Sequence, residues 1–229
     1  MRRALVLTLL HTSPRHVEVF ERLFARLRTQ DVYSDLPEIR LSHVVREDLL
    51  QRAISAGVLP EDTHARAVRI LYEATAGSDA VLCTCSTLGP AADEAATKAA
   101  KPLLRVDRPM AAQAAQTGRS IAVLATLKCT LAPTVNLIAD EVARISARAD
   151  IAPVLVEGAW DAFEAGDATR ANSLISDHIT LAGQAGANVI VLAQASMVDA
   201  LTNTDVSVPV LTSPASGLAA VLDAIKERV

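Results

Sequence analysis

The order of elements written along this chain repeats once, and that duplication limits what it can fold into. Asp79-Ala80-Val81-Leu82-Cys83-Thr84-Cys85-Ser86 aligns with Asn188-Val189-Ile190-Val191-Leu192-Ala193-Gln194-Ala195, so that Cys85 falls on Gln194 at an offset of 109 residues. Pro102-Leu103-Leu104 matches Pro209-Val210-Leu211 at an offset of 107. The openings correspond too, 4–14 with 121–133. Any two apolar strands look alike, but four elements matching in one order point to a two-fold repeat of about half the chain.

Within each half, short apolar runs alternate with segments of helical spacing. The first half reads as strand 4–10, helix 17–27, strand 38–45, helix 63–76, strand 79–84, helix 90–100, strand 103–107 and helix 110–116. The second reads as strand 120–125, helix 133–147, strand 152–156, helix 168–185, strand 189–192, short helix 197–201, strand 208–211 and helix 216–228. Strands alternating with helices predict parallel sheets wound by βαβ units. The expected fold is α/β: two pseudo-symmetric lobes, each a parallel sheet flanked by helices, with a cleft between them. The expected boundaries put 1–109 plus 210–229 in the first lobe and 110–209 in the second.

Composition removes several function classes. Lys plus Arg number 22 against 26 Asp plus Glu, a net charge of −4, which offers no generally basic surface for nucleic acid. One Trp, two Tyr and three Phe cannot furnish base-stacking platforms or an aromatic cage. The apolar start, Ala4–Leu10, is followed by His11, Pro14, Arg15 and His16, so it reads as a buried first strand rather than a secretory signal. No apolar run reaches the roughly 18 residues of a membrane span. Three cysteines, Cys83, Cys85 and Cys129, lack a disulfide-framework spacing and fit free thiols in a reducing, cytoplasmic compartment. No GxGxxG, P-loop, GxSxG or HExxH motif is present, and Cys-x-Cys with scattered histidines gives no metal-ligand spacing.

In open parallel sheets, ligands bind beyond the carboxyl ends of the strands. The residues there are His11-Thr12-Ser13-Pro14, Cys85-Ser86-Thr87-Leu88-Gly89-Pro90, Thr126-Leu127-Lys128-Cys129-Thr130 and Gln194-Ala195-Ser196-Met197. They offer thiols, hydroxyls and helix-start N–H groups with almost no acids, a set suited to a small carboxylate. Cys85 sits at a strand-to-helix turn where N–H groups lower a thiol pKa, and a thiolate there can take a proton from carbon or attack carbon. It can equally be a buried apolar residue. Cys83, inside the strand, belongs to the core, and Cys129 is open between a site lining and a packed turn. Ser86, Thr87, Thr126, Thr130 and Ser196 can bind an anion or merely cap helices. His11 and Gln194 can orient a polar substrate or satisfy backbone. Trp160 with Phe163 reads as core cover, and Arg144, Arg148 and Asp150 as a solvated face.

Val81-Leu82-Cys83-Thr84-Cys85-Ser86-Thr87 resembles the first catalytic turn of the aspartate/glutamate/hydantoin racemase superfamily, a Cys-Asn-Thr-like motif after a strand. Val189–Met197 sits where that family has Leu-Gly-Cys. The resemblance implies a cofactor-independent enzyme. In such racemases two cysteines face each other across the substrate α-carbon, and hydroxyls and turn N–H groups hold the carboxylate. It places Cys85 as the first cysteine, Ser86 and Thr87 as anion-binding groups, and Thr126 with Thr130 as the matching turn. Gln194 stands at the second cysteine position, and an amide carries no proton at neutral pH.

These readings converge on an isomerase or epimerase acting on a small carboxylate or related carbonyl compound. Cys85 and Gln194 are the expected catalytic residues, with His11, Ser86, Thr87, Thr126, Thr130 and Ser196 binding substrate. A one-thiol decarboxylase or lyase, and a non-catalytic carboxylate-binding protein on the same scaffold, are the alternatives. Neither nucleic acid nor membrane is expected as a partner. A homo-oligomer is an open expectation, since Ala-rich helices often associate.

Overall fold

The computed structural model describes residues 3–204 and 206–229. The chain divides into two compact units, Met1–Val106 with Pro214–Val229, and Asp107–Ser213. The first contains β1 (Leu5–His11), α1 (Arg15–Arg28), a 3-10 turn (Asp31–Tyr33), β2 (Ile39–Val45), α2 (Glu47–Ala56), α3 (Glu61–Gly77) and β3 (Ala80–Cys83). A second 3-10 turn (Ser86–Leu88) then runs into α4 (Gly89–Lys98), and β4 (Leu103–Arg105) follows. The second unit contains α5 (Arg108–Thr117), β5 (Ser120–Ala125), α6 (Lys128–Arg144), β6 (Asp150–Leu155), α7 (Ala159–Glu164), α8 (Ala168–Gln184), β7 (Val189–Leu192), a 3-10 stretch (Ala195–Asn203) and β8 (Val210–Thr212). The last helix, α9 (Ser213–Lys226), returns the chain to the first unit.

Each unit holds a four-stranded parallel sheet, and the strand orders are the same: β2-β1-β3-β4 and β6-β5-β7-β8. Register repeats as well. Val81 pairs with Leu103 and Ile190 with Val210, which reproduces in space the two offsets of the sequence repeat. The central strands β3, β5 and β7 are buried on both faces because helices cover both. In the second unit Ile121, Val123, Val189 and Val191 pack with Met110, Leu137 and Ile138. The intervening residues Ala122, Leu124, Ile190 and Leu192 face Ile175, Ile179 and Met197.

Several features depart from the sequence reading, among them helix α7, which it did not include. Residues 47–56 form α2, a helix that the reading passed over; it buries Leu49, Leu50 and Ala53 and stops at left-handed Gly57. α6 begins at Lys128, not at 133, so Cys129 and Thr130 lie in its first turn. The second crossover falls after Ser213 rather than after residue 209, because β8 hydrogen-bonds to β7. Arg144, expected on a solvated face, also holds buried Glu141 at 2.8 Å, and Arg108 holds the same carboxylate at 2.8 Å.

α9 closes the first unit. Its Leu218, Val221, Leu222 and Ile225 are buried against Leu7, Leu9 and Phe20. Gly217 makes this approach possible, since a Cβ there would overlap the Val106 backbone carbonyl. A backbone atom cannot step aside as a side chain can, so Gly217→Ala should cost on the order of 2 kcal/mol in urea unfolding. Gly77→Ala, at the open end of α3 with nothing within 4 Å, should be neutral or slightly stabilising. Equal stability of the two variants would contradict the close seating of α9.

Candidate active site

In the order β2-β1-β3-β4 the chain moves outward from β1 to β2 and then crosses to β3 on the other side. The ends of β1 and β3 therefore flank a topological switch point, the place where open α/β sheets bind ligands. Cys85 lies two residues beyond β3, in extended conformation at the entry to the Ser86–Leu88 turn. Its thiol is buried, with the Thr12 and Thr87 hydroxyls and the backbone N–H groups of Thr87 and Leu88 placed as donors toward it; the Leu88 N–H also donates to the Cys85 carbonyl at 3.1 Å. Thr12 comes from the end of β1, and the other donors come from the turn after β3. The donors favour a thiolate, but burial outweighs them and pushes the Cys85 thiol up from its ordinary value. This corrects the expectation of a depressed thiol, which considered the N–H groups without the loss of water. Cys83 is wholly buried, as the core reading held, and its thiol donates to the Cys85 carbonyl at 3.7 Å.

A buried hydrogen-bond chain ties the two strand ends together. His11 Nδ1 lies 2.8 Å from Thr84 Oγ1, and His11 Nε2 lies 2.8 Å from His43 Nδ1 on β2. Thr84 is also placed to donate to the Leu10 carbonyl at 2.9 Å. His11 has no exposed surface, and burial, with His16 and His43 nearby, lowers its pKa to about 3. His16, on the first turn of α1, is lowered to about 4 by burial. Both ring nitrogens of His11 are thus engaged by side chains of its own unit. Ser86 and Thr87 are buried in the thiol's turn.

The matching position of the second unit is built differently. Gln194 follows β7 as Cys85 follows β3, and Thr126 follows β5. The Gln194 carbonyl accepts the Thr126 backbone N–H at 2.6 Å and the Thr126 hydroxyl at 3.0 Å. The amide thus braces the ends of β5 and β7 across that unit's own switch point. Cys129 and Thr130 are buried on α6, and Ser196 is half-buried in the 3-10 stretch.

Sequence reasoning missed Thr12, Thr84 and His43 as contributors. Thr12 and Thr84 had a signal, being next to His11 and Cys85 at the same strand ends. His43 had none, since only the β1–β2 register, with Leu9 opposite His43, sets it near His11. Arg105 was also missed: it is buried at the end of β4, bonded to Asp93 at 2.7 Å, and lies so close to Gly89 that a Cβ there would overlap its guanidinium. It fixes the start of α4, the helix into which the thiol's turn runs. Among the described residues no three His, Cys, Asp or Glu side chains converge to hold a metal ion, and no helix is long and apolar enough to cross a membrane.

Residues 49–221 match the family model of the Asp/Glu/hydantoin racemases. The chain belongs to that family. No curated protein matches it. Among solved structures it is similar to a Yersinia pestis chain regarded as an Asp/Glu racemase, at 17% identity and TM-score 0.72, with 96% of this chain and 99% of that one covered. It is also similar to glutamate racemase from Francisella tularensis in complex with D-glutamate, at 11% identity and TM-score 0.70, covering 97% and 81%. A third similar structure is the maleate isomerase of Pseudomonas putida S16 with maleate, at 13% identity and TM-score 0.59, covering 98% and 93%. At these identities the likeness is one of fold.

The neutral buried histidines make stability depend on pH. Their folded-state values, about 3 for His11 and about 4 for His16, lie below the ordinary 6.5, so the unfolded chain takes up protons first. The stability they contribute is complete above pH 6.5 and is lost as pH falls toward those folded values. Urea unfolding should show a loss of roughly 3 kcal/mol between pH 7 and pH 5 in the wild type. A His11→Asn, His16→Asn double variant should start lower and stay nearly flat. A flat wild-type profile would contradict the neutral assignment.

Proposed function

We propose that this chain is a cofactor-independent isomerase of the racemase/epimerase type, acting on a small carboxylate or related carbonyl compound through the single thiol of Cys85. The observation that carries this reading is the set of donors around a buried sulfur at a switch point. Two hydroxyls and two N–H groups stabilise a thiolate where water cannot. A high thiol pKa is no obstacle to this chemistry. A proton on carbon is weakly acidic, and a more basic thiolate removes it more readily.

The paired position holds Gln194, whose carbonyl is engaged by Thr126. An amide neither gives up nor accepts a proton at neutral pH, so the mechanism has one thiol rather than two. Two chemistries need only one thiol, and only the second of them yields an isomer. Cys85 can remove a proton from the carbon beside the carboxylate and return one to the same face, giving exchange with solvent. It can instead add to an activated C=C bond, allow rotation about the resulting single bond, and leave as thiolate. Ser86 and Thr87, on the thiol's own turn, are the proposed partners for negative charge developing on the substrate, and Thr126, Thr130 and Ser196 are proposed to bind anionic groups at the corresponding strand ends of the second unit. Gln194 acts on orientation, while His11, fully covered and engaged at both ring nitrogens, acts only through Thr84 and not by contact with substrate.

A one-thiol decarboxylase is the second reading. It is favoured by the raised thiol pKa, because a protonated thiol can deliver its proton to the carbanion left when carbon dioxide departs.

Pooled amino acids, hydroxy acids, malonates, unsaturated diacids and hydantoins incubated in D₂O and followed by proton NMR test both. Loss of an α-proton signal marks proton removal by the thiol, appearance of a geometric isomer marks the isomerase, and loss of a carboxylate marks the decarboxylase. Either change should fall at least about a thousand-fold in Cys85→Ser. Undiminished turnover by Cys85→Ser would overturn the role of the thiol.

A further inference from the structure

The chain of hydrogen bonds that starts at Thr84 does not end at His43. His43 Nε2 lies 3.1 Å from Glu21 Oε1 on α1, with His43 mostly covered and Glu21 half exposed to solvent. Four side chains thus run in line from solvent to the residue that precedes Cys85: Glu21, His43, His11 and Thr84. We propose that they form a proton-ordering relay, in which the protonation state of His43 decides which nitrogen of buried His11 carries its proton and which way the Thr84 hydroxyl points.

Counting protons along the chain leads to this. Glu21 as a carboxylate can only accept, so His43 Nε2 must carry a proton. If His43 is neutral, its Nδ1 is bare and must accept from His11 Nε2–H. His11 Nδ1 is then bare, and Thr84 must donate its hydroxyl proton to it. If His43 is an imidazolium, its Nδ1–H donates to His11 Nε2. His11 must then carry its one proton on Nδ1 and donate to Thr84, whose hydroxyl is released to the Leu10 carbonyl, 2.9 Å away. Both states satisfy every contact except the Thr84–Leu10 bond, which exists in only one. They differ by one proton, taken from solvent by His43. His11 carries a single proton throughout, in keeping with its burial.

The groups facing His43 are His11 from β1, with His16 beside it, and Glu21 from α1. Arg46, after β2, is held by Asp48 of α2 at 2.8 Å. The relay makes His43 and Glu21 positioning residues, because His11 adjoins Thr12 and Thr84 adjoins Cys85. Its meaning for catalysis rests on the reading of Cys85 as the reactive group, while its test needs no substrate and stands or falls separately.

The test is long-range proton–nitrogen NMR of the five imidazoles across a pH titration, assigned by single substitution. Expected is an inversion of the His11 tautomer, from Nε2–H at high pH to Nδ1–H at low pH, with the same midpoint as the His43 titration. Glu21→Ala, which removes the acceptor that holds a proton on His43 Nε2, should leave the His11 tautomer mixed rather than single. His43→Phe should abolish the inversion while the fold is retained. A His11 tautomer that stays fixed across the titration would overturn the relay, and a His11 tautomer that Glu21→Ala leaves unchanged would remove Glu21 from it.

Discussion

In a parallel sheet ordered β2-β1-β3-β4, β1 and β3 are neighbours whose following segments leave in opposite directions. The space beyond their carboxyl ends is therefore filled by no connection of its own. Everything specific to the candidate site follows from this. The Cys85 sulfur receives one hydroxyl from the β1 end and three donors from the turn after β3. The His11–Thr84 bond of 2.8 Å holds the two ends at a fixed separation. A change in strand order would scatter these groups even if each local turn survived.

The second unit repeats the same order and the same registers, yet its switch point is closed by a bond of a different kind. Gln194 spans from the end of β7 to the end of β5, much as the His11–Thr84 contact spans in the first unit. Duplication has kept the scaffold and allowed the chemistry of the two turns to part. One turn retains a thiol with donors aimed at it. The other has an amide whose carbonyl is engaged by backbone and hydroxyl.

The fold was largely legible because the repeat and the period-two and period-3.6 patterns agreed, and both offsets reappear as strand registers. The misses have physical causes. α2 carries its signal in only three buried apolar residues, followed by Gly57. The start of α6 was obscured by Pro133, which reads as a first-turn proline although it lies inside the helix. At the site, Cys85 and Thr87 were legible from their place after a strand. The upward shift of the thiol was not, because neighbouring donors can be read from a sequence while the extent of desolvation cannot. His43 was invisible for the same reason that any cross-strand neighbour is, since it is set by register and not by spacing.

The central claim is that the Cys85 sulfur is buried and held by donors from both strand ends. Its most direct test is the pH dependence of Cys85 alkylation with and without Thr12→Val, in a Cys83→Ala, Cys129→Ala background because all three thiols are buried. The midpoint should lie above the ordinary thiol value, because burial raises it. Thr12→Val should raise it by about one further unit, the worth of one hydrogen bond to a charged sulfur. A wild-type midpoint at or below the ordinary value, or one that does not respond to the loss of the Thr12 hydroxyl, would contradict the account.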